Sequence, residues 1–173
     1  MLPLIYFAIH LIHPGIPSVM VDSYAAIIDK QAAAVNVDPL TFVAIIEHES
    51  HFNASAISPD GEDYGLMQVR ARHYGGRAEW LLNPEVNIRA GGYIIKKSKD
   101  FCRNYLHREP EMQEWMACFQ GSCTPNQMCK PTKLTKIIED YQSCLEDDVL
   151  AEKESSDCHK IYEGKYEQRI SGR

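Results

Sequence analysis

All six cysteines of this 173-residue chain lie in its second half, and the first hundred residues contain none. Their number is even, and no two form the Cys-x-x-Cys spacing that is typical of zinc ribbons and thioredoxin-like redox sites. An even set confined to one half indicates disulfides formed in an oxidising compartment. The spacing does not decide which cysteine pairs with which. The candidates are Cys102, Cys118, Cys123, Cys129, Cys144 and Cys158.

Length and charge exclude several classes of protein. A chain of this length suits one domain with a substantial core. Lys and Arg total 18 against 24 Asp and Glu, so the formal net charge is −6. This acidic balance excludes nucleic acid as the expected partner, because phosphate recognition relies on cationic surfaces. Affinity for any anionic polymer must therefore come from short-range contacts.

An apolar run, MLPLIYFAIHLI, occupies residues 1–12. It has the length of the apolar part of a signal peptide and is shorter than the roughly 20 residues of a membrane-spanning helix. Two interpretations stay open for residues 1–20: an export signal, or an apolar helix that packs on the domain. The cysteines favour export, so we expect a periplasmic or secreted protein without an obligate membrane span.

Helical spacing of apolar residues predicts a mainly helical domain over residues 21–145, followed by a charged extension over 146–173 that Cys158 ties down. The first helix begins at Asp22 or Ser23, which would serve as its N-cap. Residues 52–64 are rich in Asn, Ser, Pro, Asp and Gly, which predicts a loop or a few short strands. Further helices are predicted from Pro39 to about Ser50 with Asp38 as cap, from Pro84 toward Lys97, and over 111–118 and 133–145.

Glu49 lies at the predicted end of an otherwise apolar helix, next to the polar loop. A carboxyl group that is half-buried at such a place has a raised pKa, because burial disfavours its charged form. A general acid that works near neutral pH needs that shift. An exposed glutamate near a helix end is the common alternative, so the surrounding motifs have to decide between the two.

Those motifs are Glu49-Ser50-x-Phe52-Asn53, Ser58-Pro59-x-Gly61, Gly65-Leu66-Met67-Gln68 and Asn83-Pro84-Glu85-x-Asn87-Ile88-x-Ala90-Gly91. In this order and with these gaps, the chain resembles the soluble lytic transglycosylase domain, which is related in fold to goose-type lysozymes. The resemblance covers residues 22–97 clearly and 115–141 weakly. It implies a mainly α fold of the α+β lysozyme-like type, with a cleft bordered by a loop or small β excursion and completed by the disulfide-bearing half.

The resemblance also implies site residues and a substrate. Glu49 would be the catalytic acid and base that cleaves the bond between N-acetylmuramic acid and N-acetylglucosamine in peptidoglycan and leaves a 1,6-anhydro product. Ser50, Met67 and Gln68 would surround it, with Gln68 bonding sugar amides and Met67 packing on a ring face or filling the core. No cofactor and no metal are implied, and a monomer is expected.

Two departures from the family pattern bear on the site. Asp63, in Glu62-Asp63-Tyr64, resembles transglycosylases associated with secretion systems, and the chain would then be a component of such a system. Asp63 either faces Glu49 across the cleft, which favours a lysozyme-type hydrolase, or makes a local turn. Phe119 and Gln120 replace the family's Tyr-Asn pair, so Tyr64 or Tyr93 would have to supply the lost phenolic hydrogen bond.

Three other features of the sequence allow different interpretations. His48 and His51 are spaced by three residues rather than the four of a zinc-binding H-E-x-x-H helix, which disfavours a metal role. A short basic patch, Lys96, Lys97 and Lys99, either meets an anionic polymer or terminates and solubilises a helix. A peptidoglycan-binding protein without turnover is the remaining alternative to an enzyme.

Overall fold

The computed structural model describes residues 1–75, 77–120, 128–158 and 160. Over these residues the chain is mainly helical, which confirms the predicted fold class. Two short strands form an antiparallel pair, β1 (Asp63–Tyr64) and β2 (Val69–Arg70), and two 3₁₀ turns cover Ala71–Tyr74 and Ala78–Leu82. The α-helices are α1 (Leu2–Ile12), α2 (Ser18–Val35), α3 (Pro39–Ser50), α4 (Pro84–Leu106), α5 (Met112–Phe119) and α6 (Lys133–Leu150).

Helix α3 is the centre of the core. Asp38 caps it as predicted, because its carboxylate accepts a hydrogen bond of 2.7 Å from the backbone N–H of Leu40. Every residue from Pro39 to Glu47 is buried, so the helix is covered on all sides. Helices α1, α2 and α6 pack around it. The polar C-terminal turn of α3 therefore lies at the edge of the core.

The apolar N-terminal run forms α1 and packs on the domain. Ile5, Ala8 and Ile9 are fully buried in the same core as α3. This is the arrangement that the second of the two sequence interpretations describes. Among the described residues, no helix is both long enough and apolar enough to cross a membrane.

Several helix boundaries differ from those predicted from the sequence. Helix α2 begins at Ser18 with Pro17 as its N-cap, so Asp22 and Ser23 lie inside the helix and do not cap it. Helix α4 continues past Lys97 to Leu106. Helix α6 continues to Leu150 and buries Asp148 and Val149, so the first residues of the predicted extension belong to the packed domain.

Two disulfides tie the second half together, Cys102–Cys129 and Cys144–Cys158. The first joins α4 to the segment before α6. The second holds the chain after α6 against that helix, as expected for a tethered tail. Cys118 is also disulfide-bonded, whereas Cys123 and residues 161–173 lie outside the described residues.

Candidate active site

A cleft of about 1050 Å³ lies at the C-terminal end of α3, between the β hairpin and helices α4 and α5. It is large enough for a ligand of several sugar rings. Seven of the residues expected at the site line it. They are Glu49, Asp63, Met67, Gln68, Tyr93, Phe119 and Gln120.

Glu49 carries the electrostatic signature of a general acid. Its side chain is half-buried in the cleft wall. Burial, and secondarily the negative charge of Asp63, raise the pKa of Glu49 from 4.5 to about 7. The group therefore holds its proton near neutral pH, which is the state that a general acid requires.

Asp63 is fixed by an arginine that the sequence argument did not include. Pairing of β1 with β2 sets Asp63 opposite Arg70. The two oxygens of Asp63 accept hydrogen bonds from Nε and Nη2 of Arg70 at 2.8 and 2.9 Å. Such a bidentate pair holds a carboxylate in one orientation. Asp63 thus lines the cleft, where its charge acts on Glu49, and the local-turn alternative does not describe its side chain.

Asn87 holds the Gly-Leu-Met-Gln segment in place. Its side chain is fully buried, accepts a hydrogen bond of 2.7 Å from the N–H of Met67, and donates to the carbonyls of Tyr64 and Leu81. Gly65 has φ of +72°, and a Cβ there would lie 2.4 Å from Asn87 Nδ2. Only glycine therefore satisfies both the backbone angle and the close approach at this position.

Met67 and Gln68 are placed by this segment in different ways. Met67 is almost fully buried, and a Cβ on Gly91 would lie 2.2 Å from its sulfur, which confirms the close approach predicted at Gly91-Gly92. Met67 therefore fills the core beneath the cleft while it also forms part of the wall. Gln68 donates through Nε2 to the carbonyls of Gly65 and Ala56, at 2.9 and 3.3 Å.

Ser50 and Tyr64 do not line the cleft. The hydroxyl of Ser50 is buried and donates to the carbonyl of Leu66 at 2.9 Å, so it ties the end of α3 to the hairpin. The hydroxyl of Tyr64 donates to the carbonyl of Gly61 at 2.6 Å and is thereby held on the loop. Both hydroxyls thus make intramolecular hydrogen bonds, and neither side chain is in the cleft wall where the sequence predicted substrate contacts.

The phenolic hydrogen bond lost at Phe119 has no replacement among the described side chains, because none of them donates a hydrogen bond to Glu49. Tyr64 is engaged with the loop. Tyr93 lines the cleft, and its exposed ring stacks under the ammonium of Lys97 at 5.4 Å. Glu49 is positioned by its helix and its packing.

Glu47, two residues before Glu49 in α3, has different neighbours. Glu47 is buried and bonded to His13 at 2.5 Å and to His51 at 3.1 Å. Burial raises its pKa, but the hydrogen bonds and charges of the two histidines outweigh burial, so the pKa of Glu47 lies below its ordinary value. His51 therefore makes a structural contact with Glu47, and His48 lines the cleft beside Glu49.

Side chains close enough together to share a metal ion form two groups among the described residues. One group is Cys102, Cys118 and Cys129, and the other is Cys144, Asp148 and Cys158. All five cysteines are disulfide-bonded. Their sulfurs are therefore not the thiolates that ligate metals.

The model of the transglycosylase SLT domain matches residues 26–119, which is more than half of the chain. The chain belongs to the transglycosylase SLT family. Its match includes the end of α3, the hairpin, α4 and α5, which are the elements that form the cleft. Membership in the SLT family supports a peptidoglycan-active function that cleaves glycosidic bonds. No curated protein and no solved structure matches the chain.

Three charged or aromatic cleft residues of this SLT domain were given no role from the sequence, Arg70, Arg72 and Phe101, and Lys97 was predicted only as part of the basic patch. Arg70 was missed because its pairing with Asp63 depends on the hairpin register. Arg72 lies in the 3₁₀ turn Ala71–Tyr74 and belongs to no sequence motif. Lys97 and Phe101 repeat the four-residue spacing from Tyr93, so they share its helix face. That spacing was the available signal for both.

Proposed function

We propose that the chain is a lytic transglycosylase that cleaves the β-1,4 bond between N-acetylmuramic acid and N-acetylglucosamine in peptidoglycan, with Glu49 as its acid and base. The observation that carries the proposal is the pKa of Glu49, raised to about 7 by burial and by Asp63 in a cleft of glycan size. The family match supports the same class of substrate.

In the proposed reaction, protonated Glu49 donates its proton to the glycosidic oxygen while the bond to the muramic acid C1 breaks. The N-acetylglucosamine part of the strand leaves as an alcohol, and positive charge develops at C1. Ionised Glu49 then accepts the proton of the muramic acid C6 hydroxyl, whose oxygen attacks C1. The 1,6-anhydro ring forms, Glu49 regains its proton, and no water is consumed.

Asp63 supports this reaction as a fixed negative charge. It raises the pKa of Glu49 before bond cleavage and stabilises the positive charge that develops at C1. Its two oxygens already accept hydrogen bonds from Arg70, which favours a stationary electrostatic role over attack on the sugar.

A muramidase that uses Glu49 with Asp63 is the second candidate, because Asp63 lies near enough to act on Glu49. In that reaction a water molecule attacks C1 in place of the C6 hydroxyl. The product then ends in a reducing muramic acid. The two reactions differ by one water in the product mass, so one measurement distinguishes them.

The test is incubation of the purified chain with isolated peptidoglycan, followed by mass spectrometry of the soluble fragments. Anhydro-muropeptides are expected. Fragments with reducing ends only would support the muramidase instead. Glu49→Gln is the matched control, and equal release of fragments by the variant and the wild type would remove the enzyme proposal and leave a binding protein.

The proposed compartment is periplasmic or extracellular, as the disulfides suggest. A role within a secretion system is a further part of this proposal and derives from the sequence around Asp63. Mass spectrometry of the protein isolated from its native cells, alkylated before extraction, tests the compartment. Intact Cys102–Cys129 and Cys144–Cys158 bridges are expected, and alkylated cysteines would contradict it.

A further inference from the structure

The charges that line the cleft differ from the charge of the chain as a whole. The chain has a net charge of −6, whereas the cleft is lined by Arg70, Arg72 and Lys97 against Asp63 and Glu49. Asp63 and Arg70 form an ion pair, so together they add no net charge to the cleft wall, although Asp63 still acts locally on Glu49. Glu49 is uncharged below about pH 7. Two positive charges therefore remain in the wall of the cleft.

The two surplus cations have no carboxylate partner within 4 Å among the described residues. Arg70, by contrast, also contacts Asp60 and Glu62 at 3.4 and 3.2 Å. Arg72 and Lys97 are both exposed to the cleft. Because an acidic protein offers many carboxylates, a cleft with two uncompensated cations is suited to a ligand that brings its own negative charge.

Lys97 is set apart from the other lysines of the predicted basic patch. Lys96 binds Asp100 at 2.6 Å on the outer face of α4. Lys99 is buried and donates to the carbonyls of Val35 and Asn36, at 3.2 and 2.7 Å, where α2 ends. Lys97 alone of the three lines the cleft, with its ammonium 5.4 Å from the centre of the Tyr93 ring. The patch predicted from sequence is therefore three lysines with three separate contacts.

We propose that Arg72 and Lys97 form a carboxylate-binding pair that selects muramic acid-bearing glycan over neutral glycan. This inference rests on the proposed function, since it concerns the substrate of the same cleft. A guanidinium and an ammonium supply charge-assisted hydrogen bonds to a carboxylate. The neutral N-acetylglucosamine polymer has the same backbone linkage and offers no such group.

Peptidoglycan has two sources of carboxylate near the scissile bond. The lactyl ether of muramic acid ends in a free carboxylate when the stem peptide has been removed. When the peptide is present, that group is an amide, and the carboxylates belong to the peptide itself. The same cation pair binds either source, and the two are separable with defined glycan fragments.

The experiment measures dissociation constants in the Glu49→Gln background, so that no probe is consumed. The probes are a peptide-bearing glycan tetrasaccharide from peptidoglycan, the same tetrasaccharide freed of peptide by an amidase, and the N-acetylglucosamine tetramer. Arg72→Gln and Lys97→Met are combined in one variant. The matched control combines Arg89→Gln and Lys30→Met, which remove the same charges from exposed positions outside the cleft.

We expect the Arg72→Gln, Lys97→Met variant to bind at least one carboxylate-bearing probe about tenfold more weakly, a change of about 1.4 kcal/mol in binding free energy. Binding of the neutral tetramer should not change. A loss confined to the amidase-treated probe identifies the lactyl carboxylate, and a loss confined to the other probe identifies the peptide.

Unchanged affinity for both acidic probes, or an equal loss for the neutral tetramer, overturns the proposed pair. The same is true if the control variant loses as much affinity as the cleft variant. If the Glu49→Gln parent binds none of the three probes, the proposed function itself fails, and that outcome is distinct from failure of the pair.

Discussion

Glu47 and Glu49 belong to the same turn of α3 and face opposite regions of the molecule. Successive helical residues are rotated by about 100°, so two residues separated by two positions point to opposite sides. Glu47 points into the core and is bonded to His13 and His51. Glu49 lines the cleft, where the negative charge of the Asp63 carboxylate acts on it.

The two glutamates show that neighbours and burial together decide what a carboxyl group does. Burial raises the pKa of both side chains. At Glu47 the contacts with two histidines reverse that effect, so the pKa of Glu47 is lowered and its carboxyl group stays ionised. At Glu49 a negative neighbour adds to it and keeps the acid protonated. One glutamate therefore forms stabilising contacts, whereas the other is retained with a raised pKa at a cost in stability.

The largest expected effect is on turnover in Glu49→Gln. The amide cannot donate an acidic proton, so the rate of peptidoglycan cleavage should fall by about 10²–10⁴-fold, the typical contribution of a general acid. Turbidity loss of a peptidoglycan suspension measures it. The amide is nearly isosteric, so circular dichroism should show an unchanged fold. A variant with more than a tenth of wild-type activity would contradict the assignment of Glu49.

Glu47→Gln should lower the stability of the protein and leave its turnover unchanged, the reverse of Glu49→Gln. The variant loses the negative charge and one of the two acceptor oxygens that the histidines contact, so we expect the free energy of unfolding to fall by about 2 kcal/mol near pH 7. Because the folded-state pKa of Glu47 is lowered, its stabilisation is present above the ordinary pKa and is lost as pH falls through the folded value. The difference between variant and wild type should therefore vanish in acid.

Urea unfolding at several pH values measures this difference. Glu85→Gln is the matched control, because Glu85 is exposed on α4 and contacts only Arg89 at 3.8 Å among the described residues. The folded fraction of Glu47→Gln should keep its cleavage activity under conditions where it is stable. Full stability with lost turnover would mean that Glu47 takes part in the chemistry and would break the comparison.

The same comparison predicts that Glu49→Gln stabilises the protein at alkaline pH. The pKa of Glu49 is about 7 when folded, against an ordinary value of 4.5. Ionisation therefore favours the unfolded chain as pH rises from about 4.5 past 7. We expect the variant to melt about 2–4 °C above wild type at pH 8, equivalent to about 1 kcal/mol, and to match it at pH 4. A lower melting temperature at pH 8 would show that burial does not penalise the charged form.

Features that depend on neighbouring residues in the sequence were predictable, whereas contacts between distant residues were not. The extent of α3 and its Asp38 cap were predicted correctly, because the cap, the proline and the apolar spacing are local signals. The position of Glu49 at the end of that helix followed from them. The close approach at Gly91 was also predicted, because two glycines inside a helix need a compensating contact.

The contacts that give Glu47 and Asp63 their partners were not predicted, because they are not local. His13 lies 34 residues before Glu47 and reaches it only because α1 packs on α3. Arg70 meets Asp63 through the register of a hairpin with two-residue strands, which is too short to leave an alternating pattern in the sequence. A sequence reader sees the charged residues but not their pairing.

The smallest expected effect is that of Asp63→Asn on the pH dependence of cleavage. Removal of the negative charge lowers the pKa of Glu49, so the loss of activity at alkaline pH should begin at a lower pH. We expect a shift below one pH unit, which corresponds to less than about 1.4 kcal/mol, because burial is the larger cause of the raised pKa. Rates of fragment release between pH 5 and 9 measure the shift.

Glu62→Gln is the matched control, since Glu62 also contacts Arg70 but does not line the cleft. An equal shift in both variants would assign the effect to overall charge, whereas a collapse of turnover at every pH in Asp63→Asn alone would show that Asp63 takes part in bond cleavage.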